Sequence, residues 1–113
     1  MAPGDKGLLW LKGEVKTPPF SKAGRSEVGM LLRRLQRGHL LSMPQSRPMP
    51  SIGAGCHELR VRDKEHNWRV LYRVADDLIL VLDVFAKSTS KTPDHVLAAA
   101  RRRLKVYDDA RRG

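Results

Sequence analysis

Apolar and polar residues alternate in successive stretches of the second half of the chain, and that period of two predicts strands. Residues 56–63 set Leu59 and Val61 on one side against Glu58, Arg60 and Arg62 on the other. After a polar turn from Asp63 to Asn67, residues 68–75 oppose Trp68, Val70, Tyr72 and Val74 to Arg69, Leu71 and Arg73. Asp76-Asp77 supplies a tight turn, although the usual Asn-Gly or Asp-Gly pair is absent. Residues 78–86 are apolar on both sides, as in a central strand. Short connections make these three strands a β-meander.

The remaining elements follow other patterns. Residues 8–12, Leu-Leu-Trp-Leu-Lys, read as a short strand, after which Thr17-Pro18-Pro19 breaks regular structure. From about Ser21 to Arg37 the period becomes helical, with Val28, Leu31, Leu32 and Leu35 on one stripe. Arg33, Arg34 and Arg37 complement the dipole near its end, Gly38 fits the stop, and Gly24 and Gly29 weaken the first turns. Residues 38–55, with Pro44, Pro48, Pro50, Gly53 and Gly55, have no period and read as a long loop. Thr92 is a good N-cap, Pro93 suits the first helical position, and Asp94 suits the dipole. Val96, Ala100, Leu104 and Tyr107 then share a face, with Arg101, Arg102 and Arg103 mainly elsewhere. The expectation is one α+β domain over residues 1–113. It has a small antiparallel sheet, the meander plus an N-terminal strand, with helices packed on one face.

Charge turns this fold into a hypothesis about partners. The 113 residues carry 22 Lys and Arg against 12 Asp and Glu, a formal net charge of +10. Arginine dominates the excess, and its planar fork binds phosphate bidentately and stacks on bases, so nucleic acid is the expected partner. The meander sorts this charge onto one face. Leu59, Val61, Val70, Tyr72, Leu80 and Leu82 are expected on the buried face. Glu58, Arg60, Arg62, Arg69, Arg73, Asp83 and Lys87, with Phe85 among them, are expected on the other. A solvated outer face would explain any one of these cations; five together point to a phosphate site. Being on an exposed strand face, Arg60 and Arg69 are expected to contribute little to stability.

Other chemistries fit less well. No apolar run reaches transmembrane length and the N-terminus has no secretory apolar segment, so a cytoplasmic protein is expected. Cys56 is the single cysteine and is read as a partly buried strand residue, not a nucleophile. His39, His57, His66 and His95 lack metal-ligand spacing, and His57 and His66 are read as turn or surface residues. The glycines of Ser51-Ile52-Gly53-Ala54-Gly55 precede a strand, the wrong context for phosphate binding at a helix N-terminus.

Several segments taken in order resemble a known family. Cys56-His57-Glu58-Leu59-Arg60-Val61-Arg62-Asp63, Trp68-Arg69-Val70-Leu71-Tyr72, Phe85-Ala86-Lys87 and Lys91-Thr92-Pro93 resemble the phage-derived branch of HigB-type toxins in the RelE/ParE superfamily. Leu32 to Gly38 and Pro48-Met49-Pro50-Ser51-Ile52-Gly53 are similar too, so the resemblance runs from about Trp10 to Tyr107. It implies a RelE/ParE-like fold and an endoribonuclease that enters the ribosomal A site and cuts bound mRNA, with no metal or other cofactor. It implies site residues Arg60, Arg69 and Lys87, with Lys91 beside them, while Arg62 and Arg73 join as RNA contacts from the basic face. The messenger's 2′-OH would attack the adjacent phosphate, with Arg60 and Arg69 stabilising the developing charge. Lys87 or Lys91 would move protons if burial among like charges lowers its pKa. Relatives often carry a second lysine where this chain has Ser88, and no histidine aligns as a general base, so the acid–base assignment stays open. The implied partners are the ribosome, its mRNA and a cognate antitoxin with a helix-turn-helix. Two docking modes are open for that antitoxin: a segment lying across Arg60, Arg69 and Lys87, or docking elsewhere that makes the complex too bulky for the A site. For the second, the apolar surfaces near Trp10, Phe20 and Leu31 offer the better anchor. ParE-type relatives poison DNA gyrase without cutting RNA and remain the alternative; an RNA-binding module without toxicity is a third reading.

Overall fold

The computed structural model describes residues 4–12, 20–64, 66–87 and 91–112. Its elements are β1 (Gly7–Trp10), α1 (Lys22–Gln36), β2 (Ser46–Pro48), β3 (Cys56–Asp63), β4 (His66–Val74), β5 (Leu78–Ala86) and α2 (Asp94–Arg112). The five strands form one sheet in the order β1-β5-β4-β3-β2. The α+β architecture, the meander, the N-terminal strand and both helices are as the sequence predicts. Thr17-Pro18-Pro19 and Ser88 lie outside the described residues.

The structure departs from expectation in how the sheet is covered. β1 pairs with β5 in parallel, so the sheet is mixed. A short strand, β2, rises from the proline-containing stretch and pairs antiparallel with β3. The helices lie on opposite faces, not on one. α1 packs Val28, Leu31, Leu32 and Leu35 on Leu59, Val61, Val70, Tyr72, Ile79 and Val81. α2 packs Val96, Ala100 and Leu104 on Cys56, Leu71, Leu80 and Leu82. Leu80 and Leu82 therefore belong to the face that carries the arginines. A bulge explains part of the shift: Leu71 pairs with Asp83 but Tyr72 with Val81, leaving Leu82 extra on β5.

Two local features tie the layers together. Ser21 caps α1 by accepting from the Gly24 amide at 3.1 Å, and its own amide donates to Asp63 Oδ2 at 2.7 Å. The Ser21 hydroxyl donates to the other oxygen of the same carboxylate. Gly24, read above as a weakness, is what lets Asp63 come this close: a Cβ there would stand 2.6 Å from the carboxylate. Near the sheet edge Ser46 Oγ and Tyr72 Oη share a buried hydrogen bond of 2.6 Å, pinning β2 across β3 to β4. Phe20 and Leu31, expected as a docking anchor, are core residues and cannot serve as one. Among the described residues no helix is long and apolar enough to cross a membrane.

Candidate functional site

α2 covers only part of its face of the sheet. Beyond its first turn the strands carry Glu58, Arg60 and Arg62 on β3 and Arg69 on β4, with Arg60 and Arg69 register partners. A groove of about 470 Å³ opens here, lined by Glu27, Pro44, Gln45, Arg60, Val61, Arg62, Asn67 and Arg69. The Pro44–Gln45 wall is fixed because the Arg60 amide donates to the Gln45 carbonyl at 2.8 Å.

Beside the groove the charge is buried. Glu58 is 0% exposed, and Arg69 and Lys87 are each 9% exposed. Glu58 Oε1 lies 3.2 Å from Arg47 Nε and 3.4 Å from Arg69 Nε. Its Oε2 accepts from the Thr92 hydroxyl at 2.8 Å. α2 begins at Asp94 with the Pro93 carbonyl accepting from Leu97, so Pro93, expected as the first helical residue, takes the cap position expected of Thr92. Lys87 is held at the end of β5 by its amide, which donates to the Asn67 carbonyl at 2.8 Å. Burial pushes its ammonium below the usual lysine range; Glu58 opposes this, and Arg69, Arg47 and Arg60 reinforce it. Burial lowers the Arg69 guanidinium in the same direction, against the pull of Glu58. Arg47, Arg69 and Lys87 thus share the field of one buried carboxylate, and Arg60 acts on both Arg69 and Lys87. The expectation that Arg69 is an exposed strand charge is corrected: it is buried and ion-paired.

Arg60, Arg69 and Lys87, named from the sequence, come together here. Arg62 joins them on the groove wall. Lys91 lies just before Thr92, its side chain 78% exposed and 3.6 Å from Asp94. Arg73 is separated from the cluster and held under α2 by Asp108, through contacts of 2.8 and 3.0 Å. His57 and His66 stack on Tyr72 and Trp68 and stand apart from the cations. Cys56 is buried, and burial raises its thiol pKa, as suits a core residue. Among the described residues no three His, Cys, Asp or Glu side chains are grouped to hold a metal.

Sequence reasoning missed Arg47, because it sits in the proline-containing stretch that read as loop. It recognised Glu58 as facing the cations but not as buried beneath them. No local pattern signals either, because Arg47 meets Glu58 only through the β2–β3 register of the folded sheet.

The family model described as "Phage derived protein Gp49-like (DUF891)" matches residues 19–105. The chain belongs to this Gp49-like family. The family is toxin-like and of RelE type, related to the toxins of toxin–antitoxin pairs. No curated protein matches the chain significantly. The span shared with the Gp49-like model contains every residue of the cluster, from Arg47 through Glu58, Arg60, Arg69 and Lys87 to Thr92. It leaves out β1 and the last turns of α2, which lie away from the groove.

Proposed function

We propose that this Gp49-like protein is a HigB-type toxin: a ribosome-dependent endoribonuclease that cuts translated mRNA. The observation that carries this reading is the burial of Arg69 and Lys87 beside a groove walled by Arg60 and Arg62. Cations withdrawn from water beside other cations lose hydration and repel one another, and such an arrangement is characteristic of a site that meets an anion. A phosphodiester in the groove would complete the missing negative charge.

The chemistry follows from the chain's own groups. The 2′-OH oxygen attacks the adjacent phosphorus, its proton passes to the neutral amine of Lys87, and the 5′-oxygen leaves as the P–O bond breaks. Lys87 then returns the proton to the leaving oxygen, so the protein ends unchanged. The products are a 2′,3′-cyclic phosphate and a 5′-hydroxyl. Arg60 and Arg69 stabilise the extra negative charge that the phosphoryl oxygens carry in the transition state. Because the neutral amine is the active form, the burial that depresses the Lys87 pKa favours it as the proton acceptor. Arg62 and Lys91 would contact flanking phosphates.

The partner in this reading is a cognate helix-turn-helix antitoxin, and the site of action is cytoplasmic. The deciding experiment is a purified translation system with messenger 5′ ends mapped, with and without translation. The expected result is cutting of translated messages only. Intact messages, together with DNA breaks on expression in cells, would replace this reading with the gyrase-poison alternative.

A further inference from the structure

The proposed reaction uses the cations of the cluster and leaves the carboxylate beneath them without a role. Glu58 is 0% exposed, whereas Arg69 and Lys87 each keep 9% of their surface and the Arg47 side chain 38%. A carboxylate at that depth is tolerated only when its charge is compensated. One oxygen takes the Thr92 hydroxyl, and the other faces Arg47 Nε and Arg69 Nε together. Neither Nε is aligned well enough for a hydrogen bond, so the hold on both guanidiniums is electrostatic. Arg47 stands on β2, Glu58 on β3 and Arg69 on β4, so one anion spans three adjacent strands. Arg69 spends Nη1 on the Trp68 carbonyl. Among the described residues its Nη2 and both Nη groups of Arg47 have no protein acceptor, and they remain for another anion.

We infer that Glu58 is a positioning residue: its buried carboxylate holds Arg47 beside Arg69 by their Nε edges, exchanges no proton with RNA, and makes Arg47 an additional phosphate-binding residue. The role in cleavage rests on the reading of the groove as an RNA-cutting site; the hold on the two guanidiniums does not.

The test is a ¹H–¹⁵N spectrum of arginine Nε–Hε groups in the full chain, combined with translation-dependent cleavage. In the wild type two such signals should be displaced and slow to exchange with water, assigned by their loss in Arg47→Lys and Arg69→Lys. In Glu58→Gln both should move to the free-arginine position, and kcat should fall at least tenfold. The pH limb of Lys87 should persist, displaced toward lower pH because Glu58 no longer opposes the lowering of its pKa. Arg47→Lys should raise KM for the programmed ribosome severalfold. Unmoved signals in Glu58→Gln would overturn the proposal, as would a pH limb that vanishes rather than moving to lower pH, which would make Glu58 the proton acceptor. Should Glu58→Gln fail to fold, the double variant Glu58→Gln with Arg69→Met removes both members of one pair and still reports the Arg47 signal. A wild type that cuts no message but shows the expected spectral changes would refute the nuclease reading and leave the positioning role standing.

Discussion

Replacing Arg69 by Met removes a guanidinium while keeping most of an apolar stem, so it isolates charge from packing. Glu58 beneath it is completely buried, and removing one partner of a buried ion pair costs about 3–5 kcal/mol. Here Glu58 keeps Arg47 at 3.2 Å and Thr92 at 2.8 Å, which brings the cost below that range, to about 2–3 kcal/mol. For a domain of this length 1 kcal/mol corresponds to roughly 4 °C, so Tm should fall by about 8–12 °C. Arg60→Met is the matched control. Arg60 is half-buried with no ion pair in the described structure, and its Tm should move by about 2 °C or less. Both variants should lose cleavage by about 10²–10³-fold, the usual effect of deleting a group that stabilises transition-state charge. Far-UV circular dichroism melts at pH 7 and the translation assay provide the two readings. If Arg69→Met melts within about 2 °C of the wild type, the Glu58–Arg69 contact does not bear on the fold and the reasoning fails.

Gly24→Ala forces a Cβ to 2.6 Å from the Asp63 carboxylate, and calorimetry should show a loss of about 1–3 kcal/mol, typical of overpacking. Hydrogen bonds from Ser21, side chain first, hold the Asp63 carboxyl below the usual carboxylate range; its stabilisation is therefore complete above the unfolded-state pKa and is lost as pH falls through the folded one. Acid melts should show Asp63→Asn starting less stable at pH 7 and losing less than the wild type on acidification. Lys87→Arg keeps the positive charge but holds its proton at every working pH, so mRNA should still bind while single-turnover cleavage collapses. In the wild type the rate should rise with pH through the depressed Lys87 pKa, and a flat profile there would reassign the proton transfer. Tyr72→Phe leaves the Ser46 hydroxyl buried and unpaired, at a cost of about 1–2 kcal/mol that a double-mutant cycle with Ser46→Ala should recover in part.

The strands of the meander and α1 were legible because their alternation and periodicity are local properties. The predicted spans 56–63 and 78–86 coincide with β3 and β5, and Ser21 caps α1 where the predicted helix begins. What depends on distant partners was not legible. Nothing in residues 8–12 tells that β1 will join β5 in parallel. The bulge at Leu71/Tyr72 changes which β5 residues face which layer, so a simple alternation assigned Leu80 and Leu82 to the wrong face. That both faces would be covered also followed from α2, whose stripe shows that it is amphipathic but not which side of the sheet it takes. The site shows the same division. Arg60, Arg69 and Lys87 were found by charge and resemblance, whereas their depth follows from Glu58 and Thr92, which lie 34 positions apart and meet only in the folded chain.

The parallel pairing of β1 with β5 also sets an order of assembly. Gly7 finds its neighbour only when Leu78 has been made, and contacts so far apart in the chain close late and slowly. The cluster is staged in the same way: Arg47 and Glu58 emerge early, Lys87 follows, and the Thr92 hydroxyl that engages Glu58 comes last. A nascent chain that stops short of Thr92 and α2 has one Glu58 oxygen without its hydroxyl partner and no cover for Leu71, Leu80 and Leu82. Under the proposed function, the ribosome making this protein faces an incomplete and inactive sheet until α2 has been made, and the activity matures only as that helix docks.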